Sequence, residues 1–398
     1  MKLLCFLFCV WVLCPVGAWA DEADRAAVAR LVHPPLGLPP LDLAIGDAEK
    51  MAERIALGRK LFFDRRLSIN GTMSCAMCHI PEQGFAQHEL ATSVGVEGRS
   101  VRRNAPTILN VAYMELMFHD GRDDSLETQI FGPLLAQAEM ANPSVGFVLQ
   151  TIRQAKDYDG LFESAYGEPV DFGHLGSALA AYERSLLLAN SPFDRWFYGK
   201  QDSALTDQAK KGFALFTGKA GCAICHPVEE TGTVFTDQQL HNTGLGYLRD
   251  IVDPSDQGPV AVQVAPGVVY NLARSTIDSV GLPRQKDLGR KEVTNDPDDM
   301  YLFKTPGLRN VALTAPYMHD GSLRRLRDVV DFYDQGGFQY EGTDPALRPL
   351  HLTEPEKKAL VAFLESLTGE GIADLIAEAR GTEIGNVEAD LNSAKGSY

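Results

Sequence analysis

Two five-residue stretches constrain this chain more than anything else in it: Cys75-Ala-Met-Cys78-His79 and Cys222-Ala-Ile-Cys225-His226. On one helical turn this spacing presents two thiols, which can form thioethers with the vinyl groups of a haem. The histidine that follows can then reach the iron. A single copy favours haem but also fits a redox dithiol or half of a zinc site. A four-cysteine zinc site, however, has no need of a histidine after each pair. The remaining cysteines sharpen the point. Of seven in the chain, Cys5, Cys9 and Cys14 fall in the first 20 residues, so every other cysteine belongs to a motif. Two covalently bound haem c groups are the expected cofactors.

The start of the chain agrees with that chemistry. Met1-Lys2, an apolar run from Leu3 to Val16, and Ala18-Trp19-Ala20 before Asp21-Glu22 read as a secretion signal over residues 1–20. An uncleaved anchor is the alternative, but the run is short of the roughly 20 apolar residues a membrane span needs. Cys14 follows Val12-Leu13 rather than the small residue a lipoprotein site wants. A mature form beginning near Asp21, with no membrane span and a periplasmic location, is expected. Losing Lys2 leaves 36 basic residues (37 less one) against 53 acidic, a formal charge of −17. Nucleic acid is thereby an unfavourable partner, because its phosphates are repelled. A basic donor or substrate protein would be attracted, more strongly at low salt.

A repeat runs at a constant offset of 200 residues. Pro106, Asn110-Val111-Ala112, His119-Asp120-Gly121 and Leu126 recur as Pro306, Asn310-Val311-Ala312, His319-Asp320-Gly321 and Leu326. Such register without a gap argues for a duplicated haem domain. Cytochrome domains usually take their second iron ligand from the segment that follows. There the second half offers Tyr333, and the first half offers Pro133, which has no side-chain donor. On this logic the first haem is open and the second is closed by a tyrosine, although the repeat alone leaves Tyr333 equally a core aromatic.

Helical patterns dominate, over 51–63, 176–188, 206–216 and 354–367. The fold class expected is mainly α, with two tandem cytochrome c-type domains over 45–190 and 203–369, a join near 190–202, and a tail over 370–398 made of a short helix and a polar end. Domains with so much loop are expected to depend on their haems for their cores.

With these residues the chain resembles the bacterial di-haem cytochrome c peroxidases and their MauG relatives, over about Ile55 to Gly369. The resemblance is carried by Arg103-Asn104-Ala105-Pro106-Thr107, Asp120-Gly121-Arg122, His241-Asn242-Thr243-Gly244, Phe303-Lys304-Thr305-Pro306-Gly307-Leu308-Arg309-Asn310 and Ala315-Pro316-Tyr317-Met318-His319-Asp320-Gly321. It implies a peroxidatic haem on His79 and an electron-transfer haem on His226. Tyr333 matches the distal ligand of the second haem, which is methionine in ordinary peroxidases and tyrosine in the MauG and MbnH-like branch. Gln129, Pro133 and Glu139 match the distal side of the first haem, where a carboxylate takes a proton from the near peroxide oxygen and returns it to the leaving one. The family's calcium ion would find Asn104 and the main-chain oxygens of Thr314 and Pro316, hard donors that suit it.

Two departures accompany the matches. Many of these peroxidases block the first haem with a histidine, but the loop Glu89 to Gly95 has none at the matching place, and His88 lies seven residues too early. His119 stands where the family has an inter-haem tryptophan, and Trp196 is the only tryptophan of the mature chain. His241 and His319 sit in family loops and suit haem propionates or backbone; His33, His174 and His351 have no motif around them. Three functions compete: a hydrogen peroxide reductase fed by a small cytochrome or cupredoxin, a MauG-like oxidase that modifies a residue such as tryptophan on a partner protein, and a non-enzymatic electron carrier. The open distal site argues against the last. Tyrosinate, a hard anionic donor, should favour ferric iron at the second haem.

Overall fold

The computed structural model describes residues 19–252, 259–265, 268–273, 276 and 286–385. Residues 1–18 of the expected signal and 386–398 of the tail lie outside them. Helices α1 (Glu22–Val32), α2 (Ala48–Phe63), α3 (Leu126–Gln129), α4 (Phe131–Leu135), α5 (Val145–Gln154), α6 (Leu161–Tyr166) and α7 (Phe172–Ser185) build the first half. The second contains α8 (Pro192–Phe197), α9 (Asp207–Thr217), α10 (Leu245–Ile251), α11 (Lys291–Thr294), α12 (Leu326–Asp334), α13 (Glu354–Glu365) and α14 (Ile372–Arg380). Strand content is small: β1 (Leu240–His241) pairs with β4 (Phe303–Lys304), and β2 (Val260–Ala265) with β3 (Val268–Leu272), both antiparallel. Among the described residues no helix is long and apolar enough to cross a membrane.

Each half is organised around one crossing of its first and last long helices, and the sequence states why. Gly58 of α2 lies so near α7 that a Cβ would stand 1.8 Å from the Ala178 carbonyl oxygen; Gly212 of α9 meets α13 in the same way, 2.0 Å from that of Ala359. Only glycine lets two backbones approach this closely. One turn on, Phe62 meets Tyr182 with ring centroids 5.2 Å apart, and Phe216 meets Phe363 at 4.9 Å. The N-terminal core spreads from there through Leu57, Leu61, Leu175 and Leu179; the C-terminal core gathers Phe193, Phe216, Phe235 and Phe363.

The 200-residue repeat is also a repeat of backbone. Asn110 and Asn310 both take positive φ (60° and 62°), as do Phe118 and Met318 and then Gly121 and Gly321. Met117 bridges Asp123 as Tyr317 bridges Leu323. Each asparagine ties down the end of its domain's last helix. Asn110 N–H donates to Leu186 O and its Oδ1 accepts from Leu188 N–H, while Asn310 does the same with Leu367 and Gly369. One place where the two backbones part is informative. Residues 326–334 form a single helix, whereas 126–135 break at Ile130 into α3 and α4. Pro133 explains the break, since it has no N–H for the fourth residue back and its ring presses on that carbonyl.

Three segments extend this plan. Helix α1 packs Ala27, Val28 and Leu31 into the N-terminal core, upstream of the expected domain start. The 190–202 join contains α8, whose Phe193 is fully buried in the second core, and whose Asp194 forms a buried ion pair with Arg309 (2.8 Å). Finally α14 turns back from the second half to the first. Leu375 and Ala379 enter the N-terminal core, Arg30 and Glu378 pair at 2.6 Å, and Arg380 pairs with Glu82 at 2.6 Å.

Candidate active site and haem cavities

A cavity of about 450 Å³ opens in the first half. Its wall carries Cys75, Cys78 and His79 together with Gln129, Pro133 and Glu139, so one space collects the attachment motif and the three distal candidates. Cys75 begins a short 3-10 turn, Cys75–Met77, which closes with Cys78 N–H donating to Cys75 O at 3.1 Å and puts both thiols on one side. His79 Nδ1–H donates to Phe85 O at 3.3 Å. His226, after the equivalent turn Cys222–Ile224, donates from Nδ1 to Phe235 O at 2.7 Å. Each bond fixes the tautomer whose Nε2 lone pair is free for a metal. Burial lowers both imidazole pKa values, which favours the neutral ligand form.

The donor set fits covalent haem better than its rivals. No disulfide joins the four thiols. Burial raises the pKa of Cys75, of Cys78 and, to about 11, of Cys222. A working redox dithiol needs the opposite shift. Cys75 and Cys78 pack against the N-terminal core and Cys222 against the C-terminal one, which argues against a shared four-cysteine zinc site. Cys225, Asp237 and His241 do hold donor atoms within 4.8 Å of one another, but haem attachment uses that sulfur as a thioether. His241 is otherwise clamped between Asp344 (2.6 Å) and Asp237 (2.8 Å), two carboxylates that no motif had signalled.

Ser93 and, from the 126–140 segment, Gln129, Pro133 and Glu139 form part of the wall of the first cavity. Val96 N–H donates to Glu139 O at 2.9 Å, which fixes the backbone of the acid. Gly95, where a blocking histidine would be expected, has no room for a side chain: a Cβ would stand 2.1 Å from Ala138 O and 2.7 Å from Glu139 Cα. His88 is exposed and bonds through Nε2 to Leu313 O, on the other half of the chain. It is not among the residues that line the cavity. Burial raises the pKa of Glu139, with Arg122 acting in the opposite direction.

In the second half Tyr333 lies on the last turn of α12. Burial raises its pKa, and Cys225 and then Cys222 lie close enough to add to the shift. The phenol therefore stands by the second attachment motif, while Pro133, 200 residues earlier, stands in the wall of the first cavity. Between the halves, His119 Nε2–H donates to Asn104 O at 3.0 Å, and burial followed by the neighbouring His319 pulls its pKa down to about 3. His319 stacks on Phe303 at 3.8 Å. Asn104 N–H donates to His319 O at 2.7 Å, which ties Asn104 to the loop that also carries Thr314 and Pro316.

Comparison with known proteins agrees with this geometry. Residues 52–202 match the family model for di-haem cytochrome c peroxidase. The methylamine utilization protein MauG of Methylorubrum extorquens is 38% identical over 323 residues, 81% of this chain and 80% of that protein. Cytochrome c551 peroxidase of Pseudomonas aeruginosa is 33% identical over 317 residues, 79% of this chain and 78% of the other. Among solved structures, a MauG-like protein associated with microbial copper homeostasis superposes with a TM-score of 0.65 at 30% identity, covering 85% of this chain and 94% of that one. The di-haem peroxidase BthA of Burkholderia thailandensis gives 0.62 at 26% identity, covering 80% and 86%. The chain belongs to the di-haem cytochrome c peroxidase family, mainly helical oxidoreductases that act on peroxide and carry two haem c groups.

Proposed function

We propose that this chain is an exported, periplasmic di-haem peroxidase of the MauG branch, which reduces hydrogen peroxide in its first cavity with electrons relayed through the second haem from a small cytochrome or cupredoxin. The observation that carries the reading is the unequal pair at positions 133 and 333: a proline in the cavity wall of one half, a phenol beside the attachment cysteines of the other. Cys75, Cys78 and His79 would hold one haem; Cys222, Cys225, His226 and Tyr333 the other. The bound haems supply an iron that accepts peroxide oxygen and a second iron that stores and passes electrons. Gln129 and Glu139 orient peroxide, and the Glu139 carboxylate takes a proton from the near oxygen and returns it to the leaving one. The overall balance is one peroxide, two protons and two electrons giving two waters. Asn104, Thr314 and Pro316 would hold a calcium ion that braces the join between the halves.

Electron paramagnetic resonance of the oxidised protein tests the assignment. One high-spin and one low-spin ferric signal, with the low-spin signal altered by Tyr333→Phe, is the expected result; two identical low-spin signals would defeat it.

A second reading, oxidation of a residue on a partner protein, is favoured by Tyr333 and by the closed position at Gly95, and is disfavoured by His119 in place of an indole. Peroxide turnover with and without small cytochrome donors separates the two. Rapid turnover with a donor sinks the protein-modification reading.

A further inference from the structure

Glu183 is a carboxyl group that the mechanism above leaves unused. It sits on α7, is 6% exposed, and contributes to the wall of the first cavity. No protein hydrogen bond reaches its side chain among the contacts of the described residues, and the charges around it are engaged elsewhere. Arg184 forks onto Glu127 of α3 (2.8 Å between Nη2 and Oε2). On α2, Arg59 pairs with Asp24 of α1 at 3.0 Å, and Glu53 with Lys50 at 2.9 Å. Glu139 and Arg122 line the same cavity, and Cys75 is near enough for the Glu183 charge to raise its thiol pKa. The second half supplies a built-in control. Counting three residues back from the carbonyls that Asn110 and Asn310 bond, Glu183 corresponds to Leu364, a buried leucine. Packing at this point of the helix crossing is thus met by an aliphatic side chain. Placing a carboxyl there instead is costly unless it gains something.

We propose that Glu183 is the proton-holding residue of the first haem: one proton moves from solvent to its carboxylate as one electron, delivered by the external donor, enters the iron of that haem. The inference rests on the proposed function only in requiring haem in the first cavity. The physical reason is charge balance. An added electron beside a buried carboxylate in a medium of low polarity raises the cost of keeping that carboxylate ionised, so protonation follows reduction. Burial pushes the group up to about 8 against the opposing charge of Arg184, with Glu127 adding to the shift. The stored proton is one of the two that peroxide reduction consumes, held next to the site before peroxide arrives. The aliphatic Leu364 gives the second haem no such partner.

The test is an equilibrium redox titration of the holoprotein, following the first haem's absorbance from about pH 6 to about pH 9. The native equilibrium for accepting an electron should be nearly flat below about pH 8, where the carboxyl already carries its proton, and should fall by up to about tenfold per pH unit above it. In Glu183→Gln and Glu183→Leu it should change by less than about twofold per pH unit, whereas Glu139→Gln should keep the native slope. A native slope that survives both Glu183 variants, or that disappears in Glu139→Gln, overturns the assignment. Should the Glu183 variants fail to load haem, redox-difference infrared spectra of Glu139→Gln decide: a protonated-carboxyl band gained on reduction supports the proposal, and its absence refutes it. Native protein without bound haem would overturn the proposed function itself, whereas haem with a pH-independent equilibrium overturns only the role of Glu183.

Discussion

The two halves of this molecule share a backbone and differ in what they place on it. Asn110 and Asn310, Phe118 and Met318, and Gly121 and Gly321 take the same conformations at a spacing of 200 residues. The glycine crossing at Gly58 is repeated at Gly212. Against that constant frame a handful of side chains are exchanged: Pro133 for Tyr333, and Glu183 for Leu364. On the proposed reading, the lesson is that the difference between the two sites lies in single substitutions, not in a different fold. Proline does two things at once: it offers no side-chain donor, and it breaks the helix that in the second half carries Tyr333.

This contrast can be broken most decisively at the acid. Glu139→Gln should lower peroxide turnover by about 10²–10⁴-fold while leaving both haems attached, measured by steady-state kinetics alongside haem content. In the native protein turnover should fall as pH drops through the raised pKa of Glu139. The carboxylate must be ionised to take the first proton, and burial moves that requirement above the ordinary carboxylate range. A variant that keeps native turnover would remove Glu139 from the chemistry.

Gly95→His asks whether the first site can be closed as in other peroxidases. The side chain would collide with the Ala138 and Glu139 backbone, so the expected result is displacement of the acid and a loss of roughly 10²-fold, not a reversible block. Normal turnover after reduction of the second haem would instead mean that the loop accommodates a gate. A smaller effect should come from the shared crossing. Gly58→Ala and Gly212→Ala should each destabilise by about 1–3 kcal/mol in denaturant titrations, because the neighbouring carbonyls must give way. Similar losses in the two halves would support equivalent frames; a loss at one alone would not. Least dramatic is salt. With 37 basic against 53 acidic residues, affinity for a basic donor should weaken as ionic strength rises, read as an increase in donor KM.

Much of this was legible beforehand. The attachment motifs name their chemistry, and the repeat pairs Pro133 with Tyr333 before any coordinate is known. Gln129, Pro133 and Glu139 could be assigned by resemblance, and they come together in one cavity with Cys75 and His79. What was not legible depends on contacts between distant segments. Nothing around Gly95 says that its Cα rests on the Glu139 backbone, and the aspartates that clamp His241 are four and 103 residues away. Glu183 looks like one more helical glutamate until its register with Leu364 is drawn. The 190–202 stretch reads as a connector, yet Phe193 and Asp194 are fully buried there, because an aromatic side chain and a capped, ion-paired acid can turn a link into part of a core.

The return of α14 to the first core means that the first half is closed by residues that begin 187 positions after the end of α7 (372 less 185). During synthesis that half would emerge without one of its walls, and would gain it only when the second half had followed. A fusion or truncation at the far end of the chain would therefore be felt at the opposite catalytic lobe, not at the nearer one.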